Sequence, residues 1–278
     1  MGSIMLRKMI IILLVYVFFG LCFAQDSLWK KIEDGLFIGE FDSPQKSDIG
    51  DSKITVVKID PEYYDLKLFC ASEYGVEEMT AKDWCKKYNL IAAVNAGMFR
   101  SDYRTNVGYM KNFDYINNAN INKYRSVVAF NPISSENPRF RIFDIDVSSM
   151  DSIIENYNTV IQNLRLIKRP RENRWKQQSR RWSELALGED KSGNILFIFS
   201  RSPYSMHDFN NILLQLPIDI ECAQHLEGGP EATLYLSTDS IEIEKFGSYE
   251  SGFRKDDSND HEWRIPNVIG VVKKSADK

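Results

Sequence analysis

Glu227 and Glu231 are the side chains whose type and spacing most plainly offer chemistry, because they bracket the turn His225-Leu226-Glu227-Gly228-Gly229-Pro230-Glu231. Across so tight a corner both carboxylates can reach one cleft. Proximity there raises one pKa and leaves the other group ionised, the division that acid and base roles require. Gly228 and Gly229 let the backbone take positive φ and approach a ligand with no Cβ in the way, and Pro230 fixes the exit direction. The plainer alternative is a hairpin turn with two solvated glutamates.

Asn95-Ala96-Gly97-Met98-Phe99 is a second such stretch. An asparagine at a strand end either holds a turn or presents its amide to a bound hydroxyl, and Gly97 permits a tight reversal. Gly108 marks another close backbone approach, with Lys111 adding a positive charge beside it. Residues 165–181 then hold eight basic side chains against the single acid Glu172. In an acidic protein that run is a candidate for binding phosphate, sulfate or an acidic glycan, or else a solvated loop around Pro170. At its end Arg181 and Ser183 share one face of a strand, and Arg201 closes the next strand, so either guanidinium fork could grip a phosphate. Trp182 and Tyr109 could stack on a sugar, although aromatic residues more commonly fill cores. A Cys222–His225 nucleophilic pair is conceivable, but a cysteine in an apolar run is a core residue far more commonly. CxxC and HExxH spacings are absent and the chain has three histidines, so no metal site is expected. No cofactor is expected either, with a divalent cation left open.

The elements that must position these groups read mostly as strands. Residues 36–38, 53–60 and 64–69 suggest an antiparallel sheet at the start, followed by a helix capped by Thr80 with Asp83 at the capping-box position. Residues 91–94, 126–130, 140–145, 159–164, 181–188 and 195–200 read as further strands, with Gly193-Asn194 as a hairpin turn. Ser205 and Asp208 cap a helix that carries Phe209, Ile212, Leu213 and Leu216 inward and stops at Pro217, with His207 structural in its first turn. Residues 218–223 and 232–236 are strands meeting at the central turn, and residues 241–244 and 265–272 close the fold. The class expected is α+β, a single domain of mixed, largely antiparallel sheet with a few packed helices, spanning residues 25–278.

Residues 1–24 carry Arg7 and Lys8, then an uncharged apolar run closing in Ala24. They read as a signal peptide, too short to span a membrane well, which predicts a secreted or periplasmic protein with no membrane attachment after cleavage. The remaining chain has 33 Lys and Arg against 39 Asp and Glu, a net charge of −6 that disfavours nucleic acid as a partner. Three cysteines then remain, too few for a disulfide framework; one pair is possible, with Cys70 and Cys85 the nearest.

An Asn-x-Gly-x-Phe strand end, a Val-Gly segment, a strand closing in Gly188, a strand–helix pair and an acidic Leu-Glu-Gly-Gly turn together resemble the phosphodiester glycosidase family, from about Ile54 to Val272. The most specific pieces are Asn95 to Phe99 and Leu226 to Gly229. In better-known members the latter reads Leu-Asp-Gly-Gly-Gly-Ser, so Glu227, Pro230 and Glu231 stand where those carry aspartate, glycine and serine. Residues 108–111, 181–184 and 247–254 look like a bacterial exported branch. The resemblance implies hydrolysis of a glycosyl-phosphodiester in an envelope or extracellular glycan, with the sugar on one side of a cleft and phosphate on the other. On that reading Glu227, Glu231 and Arg181 are catalytic. Glu227 is base, nucleophile or stabiliser of an oxocarbenium-like centre, and Arg181, or Arg201 after it, neutralises the phosphate. Asn95, Gly97, Phe99, Gly108, Lys111, Ser183, Arg201, Gly228 and Gly229 would bind substrate, a carbohydrate or glycosyl phosphate. The alternatives are a non-catalytic glycan-binding protein, suited to the altered glycine motif, and a binder of anionic polymers that uses residues 165–181.

Overall fold

Strands that are apolar on both faces need cover on both faces, and this decides the architecture. The computed structural model describes residues 28–274; the leader reading of residues 1–24 lies outside them. The largest sheet runs in the order β1 (Lys30–Glu33), β2 (Leu36–Asp42), β3 (Lys53–Ile59), β14 (Ile195–Tyr204), β13 (Trp182–Asp190), β15 (Ile220–Gly228), β11 (Arg165–Lys168) and β12 (Glu172–Asn173). A second comprises β7 (Tyr115–Asn118), β6 (Met110–Asn112), β10 (Tyr157–Asn163), β8 (Ser126–Pro132) and β9 (Phe140–Asp144). The third comprises β17 (Ile241–Phe246), β16 (Thr233–Thr238), β5 (Ala92–Asn95), β18 (Asn267–Lys273) and β4 (Tyr64–Cys70). Every ladder within these sheets is antiparallel. Among the described residues the α-helices are α1 (Ala71–Tyr74), α2 (Ala81–Tyr88), α3 (Met150–Asn156) and α4 (Met206–Gln215). The α+β class is as the sequence predicts.

The period of two in each strand sorts its residues between a shared core and an outer layer. Phe197 and Phe199 of β14, Val128 and Phe130 of β8, and Ile269 and Val271 of β18 enter one cluster where the three sheets meet. Burial of each such side chain is worth roughly 1.5–3 kcal/mol. The alternate residues face outward under a helix. Leu196 and Ile198 pack with Phe209 and Leu213 of α4, Ala93 and Val268 with Trp84 of α2, and Val127 and Ala129 with Ile153 of α3.

Local chemistry sets the helix ends. Thr80 Oγ1 accepts from Asp83 N at 3.1 Å to start α2, and Ser205 Oγ accepts from Asp208 N at 3.1 Å to start α4. Leu216, just before Pro217, is extended, as a residue preceding proline prefers to be, and α4 stops there.

Three expectations change. Tyr64–Cys70 leaves the sheet of its predecessors to pair with β18, because an apolar period of two marks a strand without naming its partner. The strands on either side of the central turn do not pair with each other: β15 lies in the largest sheet and β16 in the third. Cys70, Cys85 and Cys222 are free and buried; Cys70 faces the shared core while Cys85 lies on α2 in the outer layer, so the sheet separates them.

Candidate active site

The crossing between two sheets puts the acidic turn at their junction. After β15 the chain makes one 3₁₀ turn, Gly229–Glu231, with Pro230 fixing its φ, and enters β16. Gly229 has φ +69°, a left-handed conformation that glycine adopts without a Cβ penalty. Asn95, at the end of β5, ties the turn down. Its Nδ2 donates to Glu231 O at 3.0 Å, and its Oδ1 accepts from Thr233 N at 2.9 Å. Both ends of the amide are thus used in holding the turn.

Both ladders of β13 are irregular where it begins. Opposite β15 the register slips around Leu226, with Leu185 facing Glu227 and Ala186 facing His225. Opposite β14 it slips between Trp182 and Glu184. Bulges of this kind bend a strand and re-aim its side chains, and they recur beside active sites. Here they gather a buried polar cluster. His225 Nδ1 lies 2.5 Å from Glu184 Oε1, and Trp182 Nε1 donates to Glu184 Oε2 at 2.6 Å. The Trp182 indole then lies across Gly228, where any Cβ would sit 2.6 Å from its Cδ1.

A third carboxylate arrives from residues 247–254. Ser183 Oγ accepts from the backbone N of Ser248 and of Tyr249, and Glu250 bridges Trp182 through the backbone. A Cβ on Gly229 would lie 3.1 Å from Glu250 Oε2 and 3.7 Å from Glu231 Oε2. Both carboxylates therefore overhang the glycine turn.

The electrostatics follow from burial among like charges. Glu227 is half-buried, and its carboxyl is pushed up to about 8 by desolvation. His225 and the Gly228 N–H pull in the other direction, while Glu231 and Glu184 add to the rise. Glu231 is raised as well, by desolvation and by Glu250. For His225 burial works to lower the pKa, but the Glu184 carboxylate with Glu227 and Glu250 outweighs it and the net direction is upward. The arrangement places a proton-holding carboxyl beside two further carboxylates, with the His225 ring, hydrogen-bonded to Glu184, behind it. Tyr124 flanks the same group, its hydroxyl raised by burial and by Glu227.

Glu227, Glu231, Gly228, Gly229 and Asn95 thus come together. Gly97 follows Asn95 just past the end of the same strand, where the Oδ1 atoms of Asn163 and Asn106 would lie 2.4 and 2.7 Å from an added Cβ. Phe99 is half-buried with its ring 5.3 Å from Tyr103. Gly108 presses on Gln162 O and accepts from Asn106 and Asn118, a backbone role. Lys111 is half-buried on β6 opposite Val160. Ser183 is buried and donates to Arg201 O at 2.6 Å.

The two guanidiniums expected to hold phosphate are committed elsewhere. Arg181 is held by both oxygens of Asp48 and stacks over Tyr249. Arg201 spends its donors on Asp257 and on the carbonyls of Phe246 and Asn259. Much of the basic run is likewise ion-paired: Arg165 to Asp144 and Asp146, Arg169 to Glu189, and Arg174 to Glu172. Tyr109 is buried with Val127 and Ile153, away from any stacking role. Cys222 is a core thiol that burial pushes up to about 12, unsuited to nucleophilic attack. Among the described residues no group of three or more His, Cys, Asp or Glu side chains is set to hold a metal ion.

Sequence reasoning passed over Glu184 and Glu250. An acid inside the apolar run Glu184-Leu185-Ala186-Leu187 is a usable signal, since a buried carboxylate needs partners. Glu250 carries no such signal.

The phosphodiester glycosidase family model matches residues 88–272. Among solved structures, the catalytic domain of zebrafish N-acetylglucosamine-1-phosphodiester alpha-N-acetylglucosaminidase, auto-inhibited by its pro-peptide, superposes with a TM-score of 0.61 at 16% identity, covering 88% of this chain and 86% of that one. A hypothetical protein from Synechocystis gives a TM-score of 0.61 at 12% identity, covering 88% and 63%. No curated protein matches the sequence.

Proposed function

The chain belongs to the phosphodiester glycosidase family, and from that premise we propose that it hydrolyses a glycosyl phosphodiester in an envelope or extracellular glycan, exported by residues 1–24. The observation that carries the reading is the Glu227 carboxyl, pushed up to about 8 in a half-open site shared with Glu231 and Glu250.

A group of that pKa holds its proton at neutral pH and gives it up to a leaving oxygen, the property required of a general acid. Glu227 protonates the phosphate oxygen that departs from the anomeric carbon. His225, its charge balanced by Glu184, stabilises the glutamate left behind. Glu231 is the second carboxylate, acting on water or on the anomeric carbon itself. On the Tyr124 side, Lys123, Arg125, Arg165 and Arg174 line a pocket of about 150 Å³ with Trp175. Arg125, Arg165 and Arg174 are paired to Asp146, Asp144 and Glu172 just as Arg181 and Arg201 are paired, so Lys123 is left to supply the positive potential for the phosphate.

The test is release of free sugar from a panel of sugar-1-phosphodiesters by residues 25–278, with Glu227→Gln as the paired control. Loss of a general acid costs about 10²–10⁴-fold in rate. Turnover by the wild type and a drop of that size in the variant support the reading. Equal turnover by both removes Glu227 from the chemistry. Ligand retained by both without turnover favours the glycan-binding alternative.

A further inference from the structure

Beside the acidic cleft lies a group of aromatic side chains that the reaction does not use. Tyr103 and Phe253 are 50% and 65% exposed, unusual for such large rings. Trp263 is half-buried between them: Phe253 meets it edge-on with ring centroids 6.2 Å apart, and its Nε1 donates to Asn259 Oδ1 at 3.2 Å. His261 lies nearly parallel to the same indole, at 23°. Tyr103 has φ +55°, a left-handed backbone that a bulky residue rarely adopts and that holds its ring outward. Tyr103, His261 and Trp263 line a cavity of about 440 Å³, whose polar wall includes Glu78, Glu262 and Arg264.

Three hydrogen bonds join this cavity to the catalytic turn. Glu262 Oε1 accepts from Thr233 Oγ1 at 2.7 Å, Thr233 N donates to Asn95 Oδ1 at 2.9 Å, and Asn95 Nδ2 donates to Glu231 O at 3.0 Å. Phe253 is anchored from the other side, its N donating to Glu250 O at 3.1 Å. The aromatic wall is therefore fixed to the elements that carry Glu231 and Glu250.

We propose that Tyr103, Phe253 and Trp263 form a second carbohydrate subsite, which takes sugar rings of an oligosaccharide beyond the bond being cleaved, so that the substrate is a polymeric glycan rather than a single sugar phosphodiester. This deepens the hydrolase reading and rests on it for the choice of ligand. A sugar ring has an apolar C–H face that packs on an aromatic ring and an equatorial rim of hydroxyls. Rings at the wall, with carboxylates and a guanidinium around them, match both parts. A lipid or an apolar peptide would leave Glu78 and Arg264 facing apolar surface.

The experiment reads binding without turnover, using Glu227→Gln protein on a printed array of oligosaccharides that includes N-acetylglucosamine oligomers of about one to six units. The same background then carries Tyr103→Ala, Phe253→Ala or Trp263→Ala. The exposed positions of the first two keep the test valid if the tryptophan variant fails to fold. The expected result is retention of one glycan class that strengthens with chain length and falls at least about fivefold in Tyr103→Ala and Phe253→Ala. Retention that is independent of length, retention undiminished in both variants, or no retention of any glycan overturns the proposal. Failure of the hydrolase reading is seen separately, as wild-type protein that retains a glycan and releases no sugar from any phosphodiester.

Discussion

Glu227 earns its place by its surroundings more than by its motif. Desolvation pushes the carboxyl up to about 8, and the neighbouring glutamates reinforce it against the pull of His225. If Glu227 is the acid, its protonated form is the active one, and kcat/KM must fall tenfold per pH unit once pH passes about 8. The pH–rate profile of the wild type should show that limb and the residual activity of Glu227→Gln should lack it. A wild-type limb near the ordinary carboxylate range would remove the acid role. The two glutamates were legible in sequence because glycines separate them from their neighbours and leave them nothing local to do. Glu184 left a fainter trace, an acid inside a strand that otherwise reads as core, and its partners Trp182 and His225 come from its own strand and its sheet neighbour β15. Arg181 and Arg201 misled for the converse reason, since an arginine at a strand end advertises an anion site while Asp48 and Asp257, which occupy them, lie 133 and 56 residues away in sequence.

The longer strands and the two capped helices follow from the pattern of apolar residues and caps, because both are local, whereas the short strands β6, β7, β11 and β12 carry no such pattern. Thr80 and Ser205 start their helices where a hydroxyl followed by an acid three residues on says they should. Partnership is not local, and this is why the glycine turn reads as a hairpin in sequence yet joins two different sheets. That difference matters chemically, because a hairpin would keep both glutamates on one sheet edge, whereas the crossing sets Glu231 against Asn95 of the third sheet. Gly229 is the pivot. At φ +69° an alanine strains the backbone, and its Cβ would press on Glu250 Oε2 at 3.1 Å. Gly229→Ala should lose about 1–2 kcal/mol in urea denaturation from the backbone alone, and should lower activity further as Glu250 is displaced. A variant as stable and as active as the wild type would show that the turn does not set the site.

The three sheets meet in one core, and the acidic turn sits at the junction of the largest and the third, so the protonation of Glu227 is a property of the whole fold. In the unfolded chain the carboxyl titrates near 4.5; in the folded protein it holds its proton to about 8. Between those values the folded state binds a proton that the unfolded state has lost, so this group favours folding fully below pH 4.5 and the contribution drains away as pH rises through about 8. Glu227 keeps part of its surface in solvent, and the full shift at 1.36 kcal/mol per unit must be discounted for screening, leaving about 1–3 kcal/mol. Glu227→Gln removes the ionisation and keeps the shape. The variant should therefore match the wild type at pH 4.5 and exceed it by about 1–3 kcal/mol at pH 9 in urea denaturation, even as it loses activity. That pairing, stability gained where catalysis is lost, is what a site strained for function predicts. A constant difference at both pH values would mean that the fold does not hold the proton, and the general-acid role would fall with it.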